Sequence, residues 1–97
     1  MSYDLKFLPT ALKEWRKLDS TIQNQLKEKL SDRLETPHVS SSKLSGHEHH
    51  YKIKLRASGY RLVYEVIEQE LVVLVIAIGK REGNRIYEVA KSENRFA

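Results

Sequence analysis

The sequence predicts an α+β fold in which two N-terminal helices pack on an antiparallel sheet of about four strands. Apolar residues alternate in residues 3–7, recur at helical spacing in residues 10–34, and return to strand patterns in residues 49–78. The length of 97 residues, with 40% hydrophobic and 31% charged residues, suits one small domain with one core. We therefore expect a single domain over residues 1–97, frayed from residue 92 onward.

The first third of the chain predicts one strand and two helices. Alternation of Tyr3, Leu5 and Phe7 with polar residues indicates a short strand that ends at Pro9, and a helix should follow from Thr10. The apolar stripe of this first helix is Ala11, Leu12, Trp15 and Leu18. The second helix has Asp19 or Ser20 as its N-cap, and its apolar residues recur every four positions at Ile22, Leu26, Leu30 and Leu34. Pro37 should end this helix, because proline disfavours helix at the residue before it.

The rest of the chain predicts a three-stranded antiparallel meander. A polar loop covers residues 37–48, and strands follow at residues 49–55 and 60–67 around an "ASG" turn. The apolar run from Leu71 to Ile78 suits a central strand buried on both faces. Ile86, Tyr87, Val89 and Ala90 then predict a short helical or irregular return over the sheet.

Several classes of protein are excluded or disfavoured. The chain has no cysteine, so it has neither disulfides nor thiolate metal sites. Charges interrupt the N-terminal residues where a signal peptide would be apolar, and the longest apolar run is too short to span a bilayer, so we expect a cytoplasmic protein. The "HEHH" stretch offers His47, His49 and His50 to a metal, but a solvated loop is the favoured interpretation, and no cofactor is expected.

Positive charge is concentrated in the middle of the chain. The net charge is +4, and five of the 17 lysines and arginines lie between Lys43 and Tyr64 with only one acid, Glu48. Such a surface indicates a polyanion or an acidic protein as partner.

Within this region, "YKIKLRASGYRLVY" alternates apolar and cationic residues. Lys52 and Lys54 share one strand face about 7 Å apart, close enough to flank one phosphodiester. Alternation alone fits a solvated strand face equally well. Arg61 on the returning strand favours a phosphate-binding active site over a solvated face, because it would place three cations on adjacent strands.

The order of elements, together with "ALKEWRKL", "YKIKLRASGYRLVYEV" and "VIAIGKREGNRIYEVA", resembles the RelE toxins of bacterial toxin–antitoxin modules, within the wider RelE/ParE group. The resemblance extends from Tyr3 to about Ala90. It implies a ribosome-dependent endoribonuclease that cuts mRNA in the ribosomal A site and is blocked by a cognate antitoxin. The toxin–antitoxin complex would bind operator DNA through the antitoxin.

The resemblance also implies the site residues. The matching catalytic positions are Lys52, Lys54, Arg61, Arg81 and Tyr87. RNA or ribosome binding is expected of Lys43, Arg56, Lys80 and Arg85. Ser45 is a departure, since relatives often have a basic residue there.

These residue types can supply the chemistry of metal-independent RNA cleavage, which needs a base for the 2′-hydroxyl, charge stabilisation at phosphorus and an acid for the 5′-oxygen. We expect Tyr87 or a Lys54 of lowered pKa to act as the base, and Lys52 and Arg61 to hold the phosphate. Arg81 would stabilise the transition state or help the leaving group, because arginine does not readily lose a proton.

Two other functions stay open on the sequence. A ParE-like toxin of the same fold would poison DNA gyrase without needing the five matching catalytic residues together. A non-catalytic RNA- or ribosome-binding module would keep its toxicity when Tyr87 is changed to phenylalanine.

Overall fold

A computed structural model describes residues 2–46 and 48–80 of the chain. The described elements are, in chain order, β1 (Asp4–Phe7), α1 (Pro9–Lys17), α2 (Ser20–Glu35), β2 (His50–Lys54), β3 (Tyr60–Ile67) and β4 (Val72–Lys80). Short 3-10 turns occupy Ser40–Ser42 and Glu68–Glu70. The predicted C-terminal return and frayed end lie outside the described residues. The prediction of one domain over residues 1–97 includes them and stays a prediction.

Prolines and a capping side chain explain where the two helices begin and where α2 ends. The α1 helix begins at Pro9, one residue earlier than predicted. Proline is tolerated in the first turn of a helix, because the N–H that it lacks would have no partner there. Asp19 is the N-cap of α2, and its side chain accepts a hydrogen bond from the Thr21 backbone N–H. The helix ends at Glu35, two residues before Pro37, as predicted.

The sheet has the order β1-β4-β3-β2. The β2, β3 and β4 strands form the predicted antiparallel meander. The expectation of a wholly antiparallel sheet is wrong, because β1 pairs with β4 in parallel, with Asp4 opposite Val72 and Phe7 opposite Val75. The two helices and the β2–β3 hairpin separate these strands in the chain and let β1 run beside β4 in the same direction. The sheet is therefore mixed, and its edges are β1 and β2.

The main core lies between the helices and one face of the sheet. Ala11, Leu26 and Leu30 contribute to it from the helices, and Trp15 packs against it beside Phe7, with ring centroids 5.2 Å apart. Tyr64 is fully buried, and its ring stacks on that of Tyr51 with centroids 5.5 Å apart. The sheet residues of this core are Tyr51, Ile53, Leu55, Leu62, Tyr64, Val66, Val73, Val75 and Ile78.

The opposite face of the sheet has a smaller apolar cluster of Val63, Ile76 and Ala77, against which Leu44 packs. The central strand β4 is thus buried on both faces, as its apolar run predicted. None of the described helices, in residues 2–46 and 48–80, is long and apolar enough to cross a membrane.

Candidate active site

Three of the predicted catalytic side chains lie on the face of the β2–β3 hairpin that points away from the helices. Lys54 and Arg61 are direct cross-strand partners, and Lys52 precedes Lys54 by two residues on the same face. Cross-strand partners have Cβ atoms about 5 Å apart, and residues two apart on a strand are separated by about 7 Å. Lys54 is exposed, whereas Lys52 and Arg61 are half-buried. The structure therefore brings the three cations together as the alternation predicted, and their catalytic roles stay predictions.

The mutual repulsion of these cations is visible at Lys54. Its pKa is lowered from the ordinary lysine value, chiefly by the positive charge of Lys52 and next by that of Arg61. Desolvation, a direct side-chain contact with Lys52 and the charge of Arg56 lower this pKa further. A lysine whose protonated form is disfavoured is a better proton acceptor near neutral pH. An RNA phosphate on this face would relieve the repulsion.

A cavity of about 350 Å³ opens at the tip of the hairpin, beside the three cations. It is lined by Lys54, Leu55, Arg56, Gly59 and Arg61. Gly59 has a φ of 78°, the left-handed conformation that only glycine adopts without strain, and no atom lies within 4 Å of where a Cβ would stand. Arg56 lines the same cavity as Lys54 and helps to lower its pKa, and the contact of Arg56 with RNA stays a prediction.

The remaining predicted site residues are placed apart or lie outside the described residues. Lys43 forms an isolated antiparallel bridge with Tyr51 on the outer edge of β2. Lys80 is the last residue of β4 and pairs with Tyr60, and its Nζ lies 5.5 Å from the centroid of the Tyr60 ring. The Lys80 side chain is therefore on the helix side of the sheet, on the opposite face from Lys54. Arg81, Arg85 and Tyr87 lie outside the described residues.

The histidine stretch does not behave as one solvated loop. His49 is exposed, but His50 is only 2% exposed, begins β2 and has its Nε2 3.0 Å from Glu65 Oε1. The solvated-loop interpretation is therefore wrong for His50, whereas the predicted strand over residues 49–55 includes it, and strand pairing places it directly opposite Glu65. His47 lies outside the described residues, and no group of three or more potential metal ligands occurs within residues 2–46 and 48–80.

Arg33 lies near this site, although the sequence patterns did not predict a role for it. It lies in the last turn of α2, and its guanidinium contacts the backbone of Lys52 and the hydroxyl of Tyr64. A signal was present, since Arg33 comes three residues after Leu30 and seven after Leu26, which places a cation on the apolar stripe of the helix. Charged residues on such a stripe require polar partners from the tertiary structure.

The fold and its cationic hairpin match a known class of toxins. The family of the ParE toxin of the type II toxin–antitoxin system parDE matches residues 5–85. The chain belongs to this family of type II toxins.

Relatives place it more closely, among RelE toxins. The chain is 56% identical over 90 residues to mRNA interferase toxin RelE of Escherichia coli strain K12, an alignment that covers 93% of this chain and 95% of the relative. The mRNA interferase RelE of Shigella flexneri shows the same identity and coverage.

Solved structures agree with this placement. The fold superposes on a mutant of E. coli toxin RelE in the free state with a TM-score of 0.89 and 53% identity, covering 96% of this chain and 98% of that one. For the intact E. coli RelBE toxin–antitoxin complex the TM-score is 0.81 and the identity 56%, covering 84% of this chain and 100% of that one. The RelE-like fold predicted from the sequence is confirmed.

Proposed function

We propose that this toxin is a metal-independent, ribosome-dependent endoribonuclease that cleaves mRNA in the ribosomal A site and so inhibits translation. The observation that carries the proposal is the cluster of Lys52, Lys54 and Arg61 on one open face, with the pKa of Lys54 lowered by its neighbours. The curated relatives at 56% identity are named mRNA interferases, which supports the same activity here.

The cluster can carry out cleavage by internal attack. A base takes the proton of the 2′-hydroxyl, the 2′-oxygen forms a bond to phosphorus, and the bond from phosphorus to the 5′-oxygen breaks as that oxygen takes a proton from solvent water. The products are a 2′,3′-cyclic phosphate and a 5′-hydroxyl. Lys54 is the described candidate for the base, and Lys52 and Arg61 offset the charge that develops on the phosphate oxygens. Tyr87 as an alternative base and Arg81 as a stabilising cation stay predictions.

The openness of this face supports dependence on the ribosome. Lys54 is exposed to solvent, so water screens its charge and nothing described orients an RNA chain over it. Holding the 2′-oxygen in line with the scissile bond contributes much of the rate in such reactions. The ribosomal A site would supply this alignment by fixing the mRNA.

The proposed partners of this toxin are an antitoxin and, through it, DNA. We propose a cognate antitoxin with an acidic, amphipathic segment that contacts this +4 protein, and operator DNA binding through that antitoxin. A solved relative is the RelBE toxin–antitoxin complex, which supports an antitoxin partner of the RelB kind.

The direct test adds purified protein to a translating extract and maps the 5′ ends of the mRNA. Wild type should produce cuts within A-site codons, and Lys54→Met should reduce cleavage about 100-fold or more if Lys54 is the base. Lys6→Met is the matched control, because Lys6 is an exposed strand lysine on β1, away from the hairpin. This control variant should cleave mRNA at the wild-type rate.

The same assay separates the rival activities. Because the matching family carries the ParE name, a gyrase supercoiling assay runs in parallel. Intact mRNA together with inhibited supercoiling would replace the nuclease proposal with a gyrase poison. Tyr87→Phe distinguishes a binder, since translation inhibition that persists in this variant without mRNA cuts would indicate a non-catalytic ribosome-binding module.

A further inference from the structure

The outer edge of β2 is closed by groups that are not part of any strand. β2 is an edge strand, and its residues 51 and 53 pair inward with β3. The carbonyls of His50 and Lys52 therefore point outward, where a fifth strand would otherwise pair. The Leu44 backbone N–H donates to the His50 carbonyl at 2.9 Å, and Arg33 Nη1 donates to the Lys52 carbonyl at 3.3 Å.

The Arg33 guanidinium connects three parts of the fold at this edge. Besides the Lys52 carbonyl, Nη1 donates to the Tyr64 hydroxyl at 2.9 Å, and Nη2 donates to Ser42 Oγ at 3.1 Å. The Tyr64 hydroxyl in turn donates to the Pro37 carbonyl at 2.7 Å. One planar, multiply donating group thus holds the end of α2, the loop after it and both strands of the hairpin.

This clamp acts on the strand that carries two of the three clustered cations. Arg61 on β3 repels Lys54, its cross-strand partner on β2, and this repulsion acts to separate the two strands. An edge strand has a sheet neighbour on one side only, so it is the element that can yield. A donor on its outer side opposes that movement at Lys52 itself.

We propose that Arg33 is a positioning residue of the active site, which fixes the β2 backbone at Lys52 so that the cations of the hairpin converge on one phosphate. The inference rests on the proposed nuclease function. Arg33 acts through Lys52 and does not contact RNA, since it lies on the helix side of the sheet, opposite the cationic face.

A double-mutant cycle in single-turnover cleavage on mRNA-programmed ribosomes tests this role. Arg33→Ala should lower the maximal cleavage rate about 10- to 100-fold with little change in the half-saturating toxin concentration, because misplacement by about 1 Å has effects of this size. In a Lys52→Ala background the same change should cost clearly less than in the wild type, because only the placement of Lys54 on β2 is left to be disturbed. Losses that multiply in the double variant would overturn the proposal.

Two further variants separate positioning from helix stabilisation. Arg16→Ala is the matched control, because Arg16 is an exposed arginine in the last turn of α1, as Arg33 is in the last turn of α2. It removes the same charge from an equivalent helix position and should leave cleavage unchanged. Arg33→Lys keeps the charge but cannot span three acceptors, so it should fold and still cleave slowly. Full cleavage by Arg33→Lys would also overturn the proposal.

A second measurement uses the free protein and does not depend on cleavage. NMR titration of ¹³C-labelled lysines follows Lys54, whose pKa is lowered mainly by Lys52 and not by Arg33. Loosening β2 in Arg33→Lys should take Lys54 away from Arg61 on β3 and so raise the Lys54 pKa toward its ordinary value, with no change in Arg16→Ala. An unchanged Lys54 pKa in Arg33→Lys would overturn the positioning role.

The two measurements keep the two proposals apart. If Lys52→Ala cleaves at the wild-type rate, the proposed function of the cationic face fails, and the titration alone still decides whether Arg33 fixes the strand.

Discussion

Replacing Tyr64 by phenylalanine removes one hydroxyl on which the attachment of the hairpin depends. This hydroxyl donates to the Pro37 carbonyl at 2.7 Å and accepts from Arg33 Nη1 at 2.9 Å, and the residue is 0% exposed. The phenylalanine ring fits the same space and keeps the stack on Tyr51, so the change isolates the two hydrogen bonds.

The expected destabilisation follows from the character of these bonds. A neutral hydrogen bond contributes about 1 kcal/mol and one to a charged group about 1.5–3 kcal/mol. Arg33 keeps its bonds to Ser42 and Lys52 in the variant, so the lower part of the second range applies. We expect Tyr64→Phe to lower the free energy of unfolding by about 2–3 kcal/mol, which lowers the melting temperature by roughly 8–24 °C for a chain of this size.

Urea unfolding followed by circular dichroism measures this value, with Tyr60→Phe as the control. Tyr60 is on the same strand and its hydroxyl has no hydrogen bond within residues 2–46 and 48–80, so its loss should change the stability by less than about 0.5 kcal/mol. A loss in Tyr64→Phe no greater than that of the control would show that these two hydrogen bonds do not stabilise the fold.

Four further predictions concern the cationic hairpin and the buried tyrosine. Lys54→Met should raise the melting temperature at neutral pH relative to Lys6→Met, because one repelling charge is gone. In the wild type Lys54 loses its charge as the pH rises through its lowered folded pKa, so the advantage of the variant should shrink there, and a constant advantage would contradict charge repulsion as its cause. Burial raises the folded pKa of Tyr64, so as the pH rises this hydroxyl ionises in the unfolded chain before it does in the folded one. In urea titrations above about pH 10 the stability of the wild type should therefore fall more steeply than that of Tyr64→Phe, and parallel curves would contradict this. Gly59→Ala should lower the unfolding free energy by about 1–2 kcal/mol by calorimetry, since its φ of 78° strains any other residue, and a neutral result would place the turn in another conformation. Arg56→Gln should reduce the slope of log affinity for single-stranded RNA against log salt by about 0.7, and an unchanged slope would remove Arg56 from the RNA contact.

Local patterns predict most of this fold. The helices of "ALKEWRKL" and of Ile22 to Leu34, the three antiparallel strands and the two-sided burial of β4 all follow from apolar spacing, because each element must present its apolar residues to one core. The gathering of Lys52, Lys54 and Arg61 follows from the parity of two strands joined by a short turn.

Apolar spacing and charge alternation therefore predict the helices and strands of residues 4–80, their order and the cationic face of the hairpin. Only the tertiary structure decided that β1 joins β4 in parallel, that His50 is buried against Glu65, and that Arg33 reaches the Lys52 carbonyl. Periodicity records which face of an element is apolar, and that information is local. A strand edge or a buried polar group finds its partner in residues far away in the chain. Arg33 and Tyr64 are an example, since their contact forms only when the sheet and helices pack together.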